Sequence, residues 1–318
     1  MFPFVTVIGT IFMDCKGFAR QNYNPHGRNL GSIEFVHGGV GRNVAENLAR
    51  LEVPVALVSS VDSTGVGHDI VSRLERAGVR TEYLLRAEQR GMGMWLAILD
   101  ENGDLAGSIS QMPDLDLLRD LLYTRGEEIV ERASHLALEI DLSEDISRKV
   151  IELAKKYNKP LFGIPGNFDV IMNHPDLLRD MTCFICNEIE GSALLGRNIA
   201  GLQTEALIEH LRNYVHSSGI RSMVITLGEQ GAVYYDTQTE MAGNQTVFPV
   251  NVADTTGAGD AFFSGTVMGL VRGLSLRDAV ICGTKVAGWT IESSENNCPD
   301  LAERVSRDRL LMELLRQS

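Results

Sequence analysis

The sequence predicts an α/β fold, a three-layer α/β/α sandwich whose central sheet is mostly parallel and carries a small inserted β lid. Three observations predict it. Short apolar runs alternate with helical patterns along most of the 318 residues. Two segments, about 15–37 and 90–112, interrupt that alternation. No internal repeat or low-complexity linker divides the chain, so a single domain over 1–318 holding the lid is expected.

The elements follow in order. Runs at 5–12, 55–59, 136–140, 160–164, 183–187 and 223–227 read as strands buried on both faces. Residues 39–51 carry Val44, Leu48 and Leu51 at helical spacing, and 67–77, 144–157, 175–179 and 204–216 keep the same period. The stretch 257–315 reads as three helices broken near Gly273 and Pro299. The first interrupting segment is polar and rich in Asn and Gly, with a loop at Asn24-Pro25-His26-Gly27. The second holds runs at 92–99 and 105–111 joined through Asn102-Gly103, a hairpin signal.

Composition excludes several functions. Lys and Arg number 29 against 42 Asp and Glu, a formal charge of −13. A binder of nucleic-acid backbone needs a basic face instead. No apolar run approaches the roughly 20 residues of a membrane span. No basic stretch or cleavage pattern marks the N-terminus, so a cytoplasmic location is expected. Cys183 and Cys186 form C-x-x-C, but they fall in a strand-like run where residues three apart face opposite ways, so both read as core cysteines.

The strongest chemical signal runs from Asp254 through Thr255-Thr256-Gly257-Ala258-Gly259-Asp260 into a helical pattern, after a β-type run at 245–252. A helix start presents unpaired N–H groups and the positive end of the macrodipole. Gly257 and Gly259 let that backbone approach an anion closely. Asp260 then stands where a carboxylate can take a proton from an attacking hydroxyl; the alternative is an ordinary first-turn helix acid. A second signal is Gly38-Gly39-Val40-Gly41-Arg42-Asn43, again before a helix. Read alone, it is a ligand-approach turn or a packing turn. It also partly matches a dinucleotide fingerprint, with Asp62 near the spacing of the ribose-binding acid. No Gly-Lys pair occurs, which excludes a Walker A kinase.

Together, in this order and separation, the two turns resemble the signatures of the ribokinase-like (PfkB) carbohydrate kinase family, and the resemblance spans nearly the whole chain. It implies the ribokinase-like fold and transfer of the ATP γ-phosphoryl group to a primary hydroxyl. Asp260 would be the base, with Gly257, Ala258 and Gly259 forming the anion hole. Asp14, Gly38, Gly39 and Asn43 would bind the acceptor. Asn187, Thr226, Gly228 and Thr256 would line the nucleotide site. Glu190, closing Asn187-Glu188-Ile189-Glu190, would serve Mg2+ through water. Backbone carbonyls of Asp254 and Thr256 would hold K+ where it is used. The small-molecule acceptor is the implied partner, with a homodimer through the lid.

Residues 45–51, Asp14-Cys15-Lys16-Gly17 and Thr290-Ile291-Glu292-Ser293 are similar to the pseudouridine kinase branch, which implies a ribose 5′-hydroxyl as acceptor. A ribokinase- or fructokinase-like sugar kinase is the alternative. A dinucleotide-dependent oxidoreductase and a non-catalytic sugar-binding regulator are the readings from other classes. His37, the lid around Gly93, Gln111 and residues 164–167 depart from the family pattern, where the acceptor pocket would differ. Lys16, Met92, Met94 and Trp95 either frame a ring in the lid or, for Met94 and Trp95, pack a second subunit. Lys16 and Arg42 are the cations near enough to help an acidic protein hold an anion.

Overall fold

The computed structural model describes residues 4–140, 142–166 and 168–316, and counts below concern these; Asn167 lies outside them. In chain order, β1 (Val5–Ile8) leads to β2 (Phe12–Ala19), β3 (Gly31–Gly38) and α1 (Val40–Arg50). Next come β4 (Val55–Asp62), α2 (Gly65–Ala77), β5 (Arg80–Ala87), β6 (Gly93–Leu99) and β7 (Leu105–Gln111). The middle holds α3 (Asp116–Arg132), β8 (His135–Glu139), α4 (Glu144–Lys156), β9 (Leu161–Ile164) and α5 (Phe168–Asn173). β10 (Cys183–Asn187), α6 (Glu188–Leu194), α7 (Thr204–Ser218), β11 (Ser222–Thr226), β12 (Ala232–Asp236) and β13 (Met241–Gln245) follow. The chain closes with α8 (Ala258–Val271), α9 (Leu276–Ile291), α10 (Leu301–Arg307) and α11 (Arg309–Arg316).

Nine strands form one sheet in the order β13-β12-β11-β10-β9-β8-β1-β4-β5. Its pairings from β11 to β5 are parallel, and β12 runs antiparallel to both neighbours. The pleat sends Val5, Val7, Ala137 and Val224 to one face and Ile8, Leu136, Leu138 and Ile225 to the other. Leu48, Ile70, Val267 and Val280 bring α1, α2, α8 and α9 onto the first face. Leu122, Val150 and Leu211 bring α3, α4 and α7 onto the second. Cys183 and Cys186 divide between the two cores, and burial pushes the Cys183 thiol up to about 12, so neither is a redox pair nor a zinc site. No helix among the described residues is long and apolar enough to cross a membrane.

The chain leaves β1 for β4 and β5 on one side and returns with β8 on the other. The strand order therefore reverses at β1 and β8, and in such sheets ligands bind outside the carboxyl ends of the strands at that point. The expected strand at 5–12 breaks there. β1 ends at Ile8 because the first turn of α1 crosses the chain at Gly9. A Cβ on Gly9 would lie 2.7 Å from Gly41 Cα, and one on Gly41 would lie 2.6 Å from Gly9 Cα. β2 then enters a separate four-stranded sheet of order β3-β2-β6-β7. The polar segment 15–37 thus hides two strand segments; β3 is solvent-exposed from Gly31 to Phe35 and needs no continuous apolar run. Its loop is tied by Asn29, which donates to Asn24 O and accepts from Asn24 N, both at 2.8 Å.

Other boundaries also shift. Residues 246–253 form no strand; β13 ends at Gln245, and the following segment, with Pro249 in it, lines a cavity against α9 instead. The C-terminal stretch has four helices because Asp308 breaks it again, accepting from Leu311 N at 3.0 Å to start α11.

Gly41→Val places a side chain against backbone at the α1 crossing. Urea denaturation is expected to show a loss of about 1–3 kcal/mol, the usual range for overpacking. An unchanged transition midpoint would mean that this crossing does not constrain the fold.

Candidate active site

The N-termini of α1 and α8 meet at the switch point. Gly257 caps α8 in the left-handed region, φ 79°, and a Cβ there would lie 2.3 Å from Asn296 O, so only glycine fits. Ala258 N donates to Thr255 O at 3.2 Å. The amides of Gly259 and Asp260 belong to the first turn, which has no carbonyl one turn earlier to receive them. A Cβ built on Gly259 would meet nothing within 4 Å, so open space faces this turn.

Asp260, in that first turn, accepts a hydrogen bond on Oδ2 from Asn43 Nδ2 of α1 at 2.6 Å. Burial pushes the Asp260 carboxyl up to about 7. The Asn43 bond opposes this, the Glu139 carboxylate adds to it, and Arg42 opposes it. Glu139 ends β8 and accepts from Thr10 N at 2.7 Å and from Thr10 Oγ1 at 2.9 Å. Burial raises its pKa, against the hydrogen bonds from Thr10 and Gly41 N. Asp14 of β2 is raised by burial too, against the pull of Lys16 and Arg42.

Three cavities lie in series along the carboxyl edge of the sheet. The first, about 580 Å³, has an apolar wall of Val247, Phe248, Val250, Phe262 and Ile291, and is also bordered by Thr226, Gly228 and Gly259. The second, about 150 Å³, is bordered by Asn187, Glu190, Thr226, Gly259 and Asp260. The third, about 700 Å³, is bordered by Asp14, Gly39, Asn43, Glu139 and Asp260 at a polar end. Trp95, Met112, Pro113, Leu115 and Leu142 provide its apolar wall. Gly259 and Thr226 join the first cavity to the second, and Asp260 joins the second to the third.

Most residues singled out in the sequence come together here, with some differences. Gly38 stands behind Asp14; a Cβ on it would lie 2.8 Å from Asp14 Oδ2. Asn187 and Glu190 form a capping box on α6: Asn187 Oδ1 accepts from Glu190 N at 2.9 Å, and Glu190 Oε2 accepts from Asn187 N at 2.8 Å. Thr255, not Thr256, borders the first cavity; Thr256 donates its N–H and hydroxyl to Asp254 Oδ1, both at 2.8 Å. Trp95 and Met94 alternate across β6, so Trp95 faces the third cavity and Met94 the opposite face. Asp62 accepts from Gly91 N at 2.5 Å, which leaves the dinucleotide reading without its acid. Arg42 borders none of the three cavities. Sequence reasoning missed Glu139 and Thr10. The available signal was an acid closing the buried run 136–140.

Among the described residues, no group of three or more His, Cys, Asp or Glu is arranged to hold a metal ion. Mg2+ brought in on phosphates takes only one or two protein carboxylates. Glu190 borders the small cavity together with Asp260, and burial raises its pKa.

The profile of the family described as "pfkB family carbohydrate kinase" matches residues 3–300. The chain is 36% identical to the guanosine-inosine kinase of Exiguobacterium acetylicum, covering 92% of this chain and 95% of that one. It is 26% identical to the pseudouridine kinase of Escherichia coli, covering 94% of each. The fold matches that of Arabidopsis thaliana ribokinase complexed with ribose and ATP, with a TM-score of 0.82 at 22% identity over 100% of both chains.

The raised pKa of Asp260 has a thermodynamic consequence. Unfolded, the group ionises near 3.8; folded, near 7. Between those values the folded state binds more protons, so this contribution to stability is full below the unfolded pKa and is lost as pH rises through about 7. Asp260→Asn has no carboxyl to titrate and lacks this contribution. Calorimetry is expected to show it melting above the parent at pH 8, with the gap narrowing at pH 5. A pH-independent gap would mean Asp260 is not held protonated.

Proposed function

Because the chain belongs to the pfkB family of carbohydrate kinases, phosphotransferases acting on hydroxyl groups of sugars or nucleosides, we propose that it phosphorylates the ribose 5′-hydroxyl of a nucleoside with ATP. The observation that carries this reading is the series of three cavities, with Gly259 and Asp260 at their junctions. The apolar first cavity suits the nucleotide, with Thr226, Gly228 and Thr255 at its edge. The small second cavity suits the transferring group, facing the amides of Gly259 and Asp260. The third suits the acceptor, with Asp14, Gly39, Asn43 and Glu139 toward its hydroxyls.

The chemistry follows from that order. Asp260 takes the acceptor proton as the acceptor oxygen bonds to phosphorus and the bond to the ADP oxygen breaks. Phosphoryl transfer asks the protein for in-line placement and charge stabilisation, and little else. The first-turn amides of α8 supply preorganised donors. Mg2+, when bound with the nucleotide, neutralises phosphate charge, and Glu190 is the residue to hold it through water. The carbonyls of Asp254 and Thr256 are the proposed seat of K+, on a loop tied to α9 by Ala253 N donating to Ile291 O at 2.7 Å.

The third cavity favours a nucleoside over a free sugar. Beyond its polar end stands an apolar wall that includes Trp95. A pentose has no flat apolar body to cover that wall; a base has. The 36% identity to a guanosine-inosine kinase, against 26% to a pseudouridine kinase, puts purine ribonucleosides ahead of pseudouridine. A sugar kinase remains the alternative acceptor reading.

ADP production with ATP and Mg2+ over guanosine, inosine, pseudouridine, ribose and fructose tests this. Guanosine or inosine is expected to lead, and Asp260→Asn to lower kcat by about two to four orders of magnitude, as for a lost general base. Turnover of a free sugar and of no nucleoside would reject the nucleoside reading; near-normal turnover by Asp260→Asn would reject the base.

The second sheet supports a lid-mediated homodimer. Phe35, Cys15, Leu96 and Ile109 are in register across its four strands, on the face opposite Asp14 and Trp95. Phe35 is 65% exposed and Ile109 69%, an apolar stripe suited to a second copy. Light scattering is expected to show a dimer that Phe35→Glu with Ile109→Lys converts to a monomer; a monomeric parent would remove this reading.

A further inference from the structure

Resting on the kinase reading, we propose that Arg42 is a positioning residue that locks the Asn43 amide so that its NH2 faces Asp260. Arg42 is 1% exposed and borders none of the three cavities of the site, so its role there is indirect. Its guanidinium divides its donors. Nη1 donates to Glu46 Oε2 at 2.6 Å. Nη2 donates to His37 O and to Asn43 Oδ1. The two ends of the Asn43 amide therefore meet opposite partners, a guanidinium on one side and a carboxylate on the other. Only one orientation satisfies both: oxygen toward Arg42, nitrogen toward Asp260. Without Arg42, the amide oxygen loses the partner that opposes a rotation setting it against the Asp260 carboxylate.

Glu46 makes this burial possible. It is fully buried and also accepts from Arg50 Nη2 at 2.7 Å and from Arg73 Nε at 3.1 Å. Burial would raise its pKa, but Arg42, Arg73 and Arg50 together hold it below the usual carboxylate range. A charged Glu46 anchors one arm of Arg42 and leaves the other free for Asn43. The Asn43 main chain is fixed as well, since Asn297 Nδ2 donates to Asn43 O at 2.9 Å. The side-chain torsion is what Arg42 controls.

The test is a double-mutant cycle on kcat, read with its pH profile. Arg42→Gln is expected to lower kcat about ten- to a hundredfold, the scale of one hydrogen bond to a charged group. KM for ATP should hold, because Arg42 does not border the nucleotide cavity. In an Asn43→Ala background the same substitution should cost less than threefold, since its route is already gone. The acidic limb of the pH profile should move to higher pH in Arg42→Gln. The groups facing Asp260 set that sign: Asn43 and Arg42 from α1 favour its ionised form and Glu139 from β8 disfavours it, while Asp14 of β2 and Glu190 of α6 also border the same cavities. If Arg42→Gln lacks a cooperative melt, Arg42→Lys takes its place; the single nitrogen of an ammonium cannot stand both where Nη1 meets Glu46 and where Nη2 meets Asn43, so the same loss is expected. Equal losses in both backgrounds, or an unmoved limb, overturn the inference. Asp260→Asn separates the two levels: if it is inactive while the Arg42 variants are normal, only the inference falls; if it is active, the underlying reading falls and the inference with it.

Discussion

The hydrogen bond between Asn43 and Asp260 is the contact around which the rest of the site is arranged. It joins residues 217 apart and fixes two helix starts to one point. Two positive helix ends directed at one spot repel each other unless negative charge lies between them. The carboxyls of Asp260, Glu139 and Asp14 supply it in this structure, and a transferring phosphoryl group would add to it. This arrangement also explains how a chain of formal charge −13 can handle a polyanion. Its overall field is repulsive. Attraction has to be local, from the α8 amides and from a cation carried with the nucleotide.

Backbone contact sets that geometry. Gly9 and Gly41 have no side chains because the α1 turn and the chain leaving β1 occupy each other's Cβ space. The same crossing ends β1 early, releases β2 into the second sheet, and directs Gly41 N to Glu139. One close approach therefore divides the chain between the two sheets and orients a carboxyl in the third cavity. Gly257 plays the matching part at the other helix, held against Asn296 O.

The parts legible in the sequence were those where local backbone geometry demands a residue type. Gly39, Gly257, Gly259, Asn43 and Asp260 are visible because helix starts and left-handed turns admit few alternatives. The buried parallel strands were legible as unbroken apolar runs. What escaped depends on tertiary placement. β2 and β3 lie on a largely exposed sheet, so solvent tolerates their polar residues and they leave little pattern. Glu139 reads as any acid at a strand end until β1 and β8 are known to be neighbours. Thr255 and Thr256 are equivalent in the sequence, and only Asp254's hold on Thr256 tells them apart. Arg42 looks like a free cation near a glycine turn; three arginines must converge on Glu46 before its confinement is apparent.

That convergence bears on the chemistry. In the proposed reaction Asp260 is the base, and a general base works best with a pKa near the working pH. Burial and Glu139 both push Asp260 upward, and unopposed they would leave it protonated and unable to accept a proton. The opposing influences are the Asn43 amide and the Arg42 charge. A lone buried arginine would be costly to keep ionised, and Glu46 removes that cost only because Arg50 and Arg73 keep Glu46 itself charged. The protonation balance at Asp260 thus depends on an ion network that borders none of the three cavities of the site, and a substitution at Glu46 would be felt at Asp260 without altering one residue that borders them.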